Sequence, residues 1–203
     1  MKAVSYLKKN GLRHTLNVIY SYKIDVAIQK LMQVFLKKRP LQDIIVIESH
    51  NDFDSNGGAF YQYLIANGYN EKYKLVWLIK NRKPYKLPKN VVCFPLYKPS
   101  ILKDYYVYMA KFFSADCVAT GKVREGQKSY YLTHGAFSLK NSKGKIDIPG
   151  CVDYILIPSE YTRKIQKEQF NPKPQTEMIS IGFPIHDQLR ESSVPQLYKM
   201  GIN

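Results

Sequence analysis

Short apolar runs recur along the chain with helix-length stretches or turn-rich loops between them, and this alternation constrains the fold more than any other feature. The runs are Ile44-Ile45-Val46-Ile47, Leu75-Val76-Trp77-Leu78-Ile79, Val91-Val92-Cys93-Phe94, Asp116 to Thr120, Tyr130 to Thr133, Tyr154-Ile155-Leu156-Ile157 and Met178-Ile179-Ser180-Ile181. Ile44 to Ile47 is apolar without a break, the pattern of a strand covered on both faces. Between the runs, Ala59 to Ala66 predicts a helix ended by Asn67-Gly68, and Ser100 to Phe113 a tyrosine-rich helix. Pro158-Ser159-Glu160 opens a helix to Phe170, with Ser159 as its N-cap. Strands alternating with helices in this way predict an α/β fold, a Rossmann-like parallel sheet flanked by helices. The 203 residues suit one such domain with an appended element.

That element is N-terminal. Residues 12–38 contain neither proline nor glycine and read as helix, closed by Pro40. Ile24, Ile28, Leu31 and Phe35 form an apolar stripe, with Lys23, Lys30, Gln33 and Lys37 off it. Two readings stay open: packing onto the domain's own core, or lying in a membrane interface. The net charge is +15, and residues 1–40 hold nine cations and one acid, a local excess of +8. Such a chain calls for an anionic partner: nucleic acid, phosphorylated substrate or anionic lipid. Nucleic acid is the poorest of these, since there is no RNP-like aromatic motif and the charge gathers at one end. Lys8, Lys9, Arg13, Lys37, Lys38 and Arg39 are the candidate membrane-binding cations. No stretch approaches the ~18 apolar residues of a spanning helix. The expected division is a basic amphipathic segment over 1–40 and a Rossmann-like domain over 41–203.

Cys93, Cys117 and Cys151 are widely separated, odd in number and without CxxC spacing. They predict reduced, buried thiols in a cytosolic protein, not a disulfide framework or zinc site. Without HExxH, GxSxG or clustered Cys/His ligands, metal hydrolysis and serine-nucleophile chemistry gain no support, and no metal or cofactor is expected.

Chemistry would sit in loops at the carboxyl ends of strands. After the first strand come Glu48, Ser49, His50, Asn51, Asp52, Asp54 and Asn56, leading into Gly57-Gly58 at a helix start, where backbone N–H groups attract phosphate. Turn and capping roles explain most such acids, but Glu48 emerges directly at the strand's end. After Tyr130 to Thr133 comes His134 and then Gly135, which allows close approach of backbone or substrate. His134 is either a satisfied strand-end histidine or a group that titrates near neutrality in a ligand crevice. Lys140, Lys143 and Lys145 follow, as a solvated loop or a phosphate clamp. The third loop, Gly182-Phe183-Pro184-Ile185-His186-Asp187, follows the last strand.

In order and spacing these pieces resemble the CDP-glycerol glycerophosphotransferase family, the teichoic-acid primases and polymerases. Ile47-Glu48-Ser49 through Asp54-Ser55-Asn56 into Phe60-Tyr61-Gln62-Tyr63-Leu64 is similar to the family's opening strand, acidic loop and helix. Leu132-Thr133-His134-Gly135 with Leu139-Lys140 resembles its His-Gly-Thr-Pro-Leu-Lys signature, one residue longer and without the Thr-Pro. Val152 to Tyr161 resembles the strand and helix start that follow. Gly182-Phe183-Pro184 with Asp187 resembles the last element, with Ile185-His186 where the family usually has Arg-Asn.

The resemblance implies transfer of glycerol phosphate, or a related polyol phosphate, from a CDP-linked donor to a lipid-linked acceptor at the cytoplasmic face of the bacterial membrane. It implies His134 as general base, and Glu48, Asn56, Gly135, Lys140 and Asp187 as substrate-binding residues. Family members continue into a second domain that binds the donor, so this chain is expected to be the acceptor-side half of a GT-B-type enzyme. It should then bind donor poorly by itself. The alternative is a non-catalytic, truncated module that keeps acceptor or membrane affinity.

Overall fold

The computed structural model describes residues 11–80, 86–117, 121–133 and 151–187. Helix α1 (Leu12–Leu36) leads into β1 (Gln42–Glu48), α2 (Ser55–Ala66), the short α3 (Tyr69–Lys72), β2 (Lys74–Ile79) and β3 (Val91–Pro95). There follow α4 (Ile101–Met109), β4 (Ala110–Ala115), β5 (Lys128–Tyr131), β6 (Tyr154–Ile157), a 3-10 turn (Glu160–Thr162), α5 (Arg163–Phe170) and β7 (Glu177–Ser180). All seven strands pair in parallel in the order β3-β2-β1-β4-β5-β6-β7. The expected Rossmann-like sheet is what the chain forms.

Alternation along β1 divides the core. Ile45 and Ile47 face Leu64 of α2 together with Leu75 and Trp77, while Ile44 and Val46 face α4 and α1. Trp77 is wholly buried and meets the rings of Phe53 and Tyr61 at 4.3 and 5.5 Å. The chain steps one way from β1 to β3 and the other way from β4 to β7, so right-handed crossovers send α2 to one face and α4 and α5 to the other.

Local signals account for the helix ends. The Asp54 side chain accepts from the backbone N–H of Ser55, its carbonyl accepts from Gly58, and α2 stops at Asn67 and left-handed Gly68 as expected. Ser100 caps α4 through the backbone N–H of Lys103. The 3-10 turn at Ser159 has no side-chain cap bond.

Besides the expected cap at Ser159, two expectations need correction. The helix from Ser100 ends at Met109, and Phe112-Phe113 lie in β4, whose residues pair with β1 through Ile45↔Phe112 and Val46↔Phe113. No glycine or proline marks that break, so strand pairing decides it. The strand placed at Asp116 to Thr120 is therefore displaced to Ala110–Ala115; Val118 to Thr120 lie outside the described residues.

The second correction concerns α1. The face packed on the sheet holds Ile28, Met32 and Leu36, with Asp25 and Gln29. Of the expected stripe, Leu31 is 59% and Phe35 72% exposed. Two polar contacts set this rotation: Lys103 Nζ binds Asp25 Oδ2 at 2.6 Å, and Gln29 Nε2 donates to Asp104 Oδ1 at 3.1 Å. Leu12, Leu16, Ile19, Tyr20 and Val34 face outward with Leu31 and Phe35.

Candidate active site

The strand order reverses between β1 and β4, and a crevice opens outside the carboxyl ends of such a pair. Glu48 ends β1 there, almost wholly buried. Its Oε1 accepts from Cys117 Sγ at 3.3 Å and lies 3.7 Å from Lys80 Nζ. Burial pushes the Cys117 thiol up to about 12, with Glu48 adding to the rise and Lys80 opposing it. The sulfur therefore keeps its proton and can donate it to Glu48. Burial pulls the Lys80 ammonium down, but Cys117 and Glu48 outweigh it and hold it above its ordinary value. Lys80 also donates to Cys117 Sγ at 3.3 Å and to the Ser49 carbonyl at 3.4 Å. A buried carboxylate persists only with such compensation. The network laces together the ends of β1, β2 and β4.

Asp116 is fully buried just beyond β4. Its Oδ1 accepts from the backbone N–H of His50 at 2.7 Å, and its Oδ2 from that of Gly57 at 3.2 Å. Asp52 accepts from the Lys80 backbone N–H with both oxygens, at 2.9 and 3.1 Å. The N-terminus of α2, read from sequence as a phosphate cradle, already has a carboxylate of this chain on the Gly57 N–H. Gly57 and Gly58 serve close approach: a Cβ at Gly57 would stand 2.8 Å from Ser49 Cβ, and one at Gly58 would stand 2.5 Å from the Phe53 carbonyl oxygen.

Asn56 joins three of the segments singled out in the sequence. Its Nδ2 donates to the carbonyls of Leu132 and Thr133 at 3.2 and 2.8 Å, and its Oδ1 accepts from the Ile185 N–H at 3.1 Å. Asp187 is exposed, in the helical turn over 184–187. It lines an open cavity of about 1140 Å³ with Phe60, Tyr63, Gly182 and Pro184. His134, Gly135 and Lys140 follow Thr133 and lie outside the described residues, as do Lys8 and Lys9. Arg13, Lys37, Lys38 and Arg39 are exposed, but Arg13 and Lys37 are roughly 36 Å apart along α1 at 1.5 Å per residue. Arg124 caps the far end, donating to the carbonyls of Lys37 and Arg39 at 3.1 and 2.8 Å. The three cysteines are free and only partly buried. Among the described residues no group of three or more His, Cys, Asp or Glu could hold a metal ion.

Sequence reasoning missed Asp116, Cys117 and Lys80. Asp116 follows Phe-Phe-Ser-Ala as Glu48 follows Ile-Val-Ile, and the same rule finds it once β4 is placed correctly.

The sequence model of CDP-glycerol:poly(glycerophosphate) glycerophosphotransferases matches residues 28–201. The chain belongs to this family. No curated protein sequence matches the chain. Among solved structures, the wall teichoic acid polymerase TagF in a His-to-Asn variant superposes with a TM-score of 0.67 at 18% identity, over 92% of this chain and 50% of that one. The same variant soaked with CDPG for 30 minutes gives 0.67 and 18%, over 92% and 51%. TagF without a stated substitution gives 0.64 and 18%, over 96% and 51%. At this identity the likeness establishes the fold, and the chain spans about half the length of the TagF chains it matches.

Proposed function

We propose that this chain forms the acceptor-side half of a transferase that moves glycerol phosphate, or a related polyol phosphate, from a CDP-linked donor to a hydroxyl of a lipid-linked acceptor in the synthesis of teichoic acid or a similar surface polymer. The family match over residues 28–201 carries this reading. In it, the acceptor oxygen attacks the β-phosphorus of the donor, a new P–O bond forms, the P–O bond to CMP breaks, and the hydroxyl proton passes to His134. His134 comes three residues after the end of β5, the strand next to β4 of the switch-point pair, and in such sheets ligands bind outside the carboxyl ends of strands, which supports this reading. Lys140 is the candidate cation for the transferring phosphoryl, and Gly135 and Asp187 stand with it as substrate-binding candidates.

The lipid acceptor places the work at a membrane surface. Among the described residues no helix is long and apolar enough to cross a bilayer. The outward face of α1, with Leu12, Leu16, Ile19 and Val34 beside Arg13, Lys23 and Lys30, supplies apolar area and cations for peripheral binding at the cytoplasmic leaflet. Each such cation near an anionic leaflet is worth about 1 kcal/mol. The second reading is a binding module without turnover, and it draws on the buried acids Asp52 and Asp116 being taken up by the chain's own backbone N–H groups.

Radiolabelled CDP-glycerol separates the two. The chain supplied with a donor-binding half should move label into an organic-extractable acceptor; binding of acceptor with no transfer under those conditions would favour the module.

A further inference from the structure

Beneath α2 the sheet is covered over β1 and β2, while α5 packs on the opposite face, where Phe170 meets Tyr131, Ile155 and Ile157. Where the cover of α2 runs out, a cleft of about 440 Å³ opens along β4, β5 and β6. Ile45, Leu132 and Leu156 line its floor. One wall is a row of rings, Tyr63, Tyr69, Tyr73 and Phe112, whose successive centroids lie 6.2, 6.4 and 6.1 Å apart. Besides the tyrosines, the one polar side chain of the lining is Ser114, and its Oγ is shielded from solvent. The chain carries 31 cations and 16 acids, yet among the described residues none of them lines this cleft. Such a wall offers nothing to a phosphate, a nucleotide or a polyanion, which call for charge-assisted hydrogen bonds, and it suits hydrocarbon. The fold leaves it open: Tyr63 and Ile181 at its rim are 57% and 70% exposed. It adjoins the cavity of about 1140 Å³ at the Asp187 loop, with Phe60, Tyr63, Ile181 and Pro184 common to both, and there Gln62, Asn67 and Asp187 add polar groups.

We infer that this cleft binds the hydrocarbon chain of the lipid-linked acceptor, with the polar end of that lipid in the adjoining cavity beside Asp187. The inference rests on the reading of the acceptor as lipid-linked and gives its chain a site of its own. The course of α1 agrees with it. The end of α1 lies at the amino edge of the sheet, where Arg124 binds the carbonyls of Lys37 and Arg39, and Asp25 meets Lys103 at the start of α4, at the carboxyl edge. The first turns of α1, with exposed Leu12, Leu16 and Ile19, therefore stand at or beyond the carboxyl edge, the edge at which the Asp187 cavity opens. A lipid whose head enters that cavity must draw its first carbons out of the bilayer. Each methylene left bare in water weakens binding roughly 4-fold, and a cleft as apolar as the lipid removes that loss.

The test uses the 203-residue chain and needs no donor. Farnesol and geraniol are the probes, since a neutral prenol carries no charge for the lysines to hold. In methyl NMR spectra of the wild-type chain, farnesol should shift Leu132, Leu156 and Ile181 and leave Ile28 and Leu36, on the other face of the sheet, where they are. Farnesol should bind at least roughly 10-fold tighter than the shorter geraniol, as each further methylene that enters adds roughly 4-fold. Ile181→Asp and Tyr63→Ser alter exposed rim positions, so each should retain the melting temperature and weaken farnesol by roughly 10-fold. With a donor-binding half, Ile181→Asp should raise KM for the lipid-linked acceptor with kcat nearly unchanged, and leave KM for a chain-free, water-soluble acceptor as it was. No farnesol binding, shifts confined to the other face, equal affinity for both prenols, or a cleft that takes N-acetylglucosamine and excludes farnesol would overturn the inference. Farnesol binding as expected with no transfer by the wild-type pair would instead remove the transferase reading, leaving the cleft a hydrocarbon site.

Discussion

Asp104 offers a prediction whose sign runs against ordinary expectation: replacing this buried carboxyl with a group that cannot ionise should stabilise the protein, increasingly as pH rises from 3.8 to about 7. The residue is 0% exposed on α4, where Gln29 donates to its Oδ1, while Lys103 and Asp25 form an ion pair beside it. Burial pushes its carboxyl from 3.8 up to about 7; Asp25 adds to the rise, and Gln29 and Lys103 hold it back. In the unfolded chain the carboxyl ionises above 3.8, whereas in the native protein it keeps its proton to about 7. The native state therefore binds the extra proton across this window, and its stability falls as pH rises through it. One pH unit is worth about 1.4 kcal/mol, so the loss approaches about 4 kcal/mol by pH 8. Asp104→Asn cannot ionise, and its amide can still accept from Gln29 and donate to Asp25. Urea unfolding of both proteins from pH 4 to 8.5 reads the effect of Asp104 together with that of its neighbours Asp25 and Lys103, the more distant titrating groups being shared. Variant minus wild type should be near zero at pH 4, grow steadily, and level off above pH 7 with Asn the more stable. A difference that stays flat across the range would refute the assignment of the proton to Asp104.

Gly58→Ala should destabilise the domain by about 1–3 kcal/mol, read as a lowered urea midpoint, because the new Cβ falls 2.5 Å from the Phe53 carbonyl oxygen on rigid backbone; an unchanged midpoint would show that this loop yields. Binding to phosphatidylglycerol vesicles should weaken at high salt and be lost in Leu16→Glu/Ile19→Glu, two exposed positions on α1 whose change leaves the packed face intact. Sedimentation of that variant with vesicles as well as wild type would place the anchor elsewhere.

The strands of the sheet were legible because a strand covered on both faces has an almost unbroken apolar run, and Ile44 to Ile47 and Leu75 to Ile79 have one. β4 was not, because Lys111-Phe112-Phe113 continues from a helix without a break residue and its identity is decided by pairing with Ile45 and Val46. The face of α1 was misread for a related reason. Hydrophobic periodicity counts apolar side chains, whereas Asp25 and Gln29 on the packed face are polar and find Lys103 and Asp104 more than 70 residues away. In the candidate site, Glu48 could be recognised as an acid emerging from a strand. The role of Asn56 could not, since its partners lie 76, 77 and 129 residues along the chain.

The central claim is that His134 serves as the base of a glycerol phosphate transfer for which this chain provides the acceptor side. Its most direct test compares wild type with His134→Ala, each combined with a donor-binding half, for release of CMP and label transfer from CDP-glycerol to acceptor. The account predicts turnover lowered by roughly 10²- to 10⁴-fold, with the melting temperature of the chain retained. Turnover near wild type in the folded variant would contradict it.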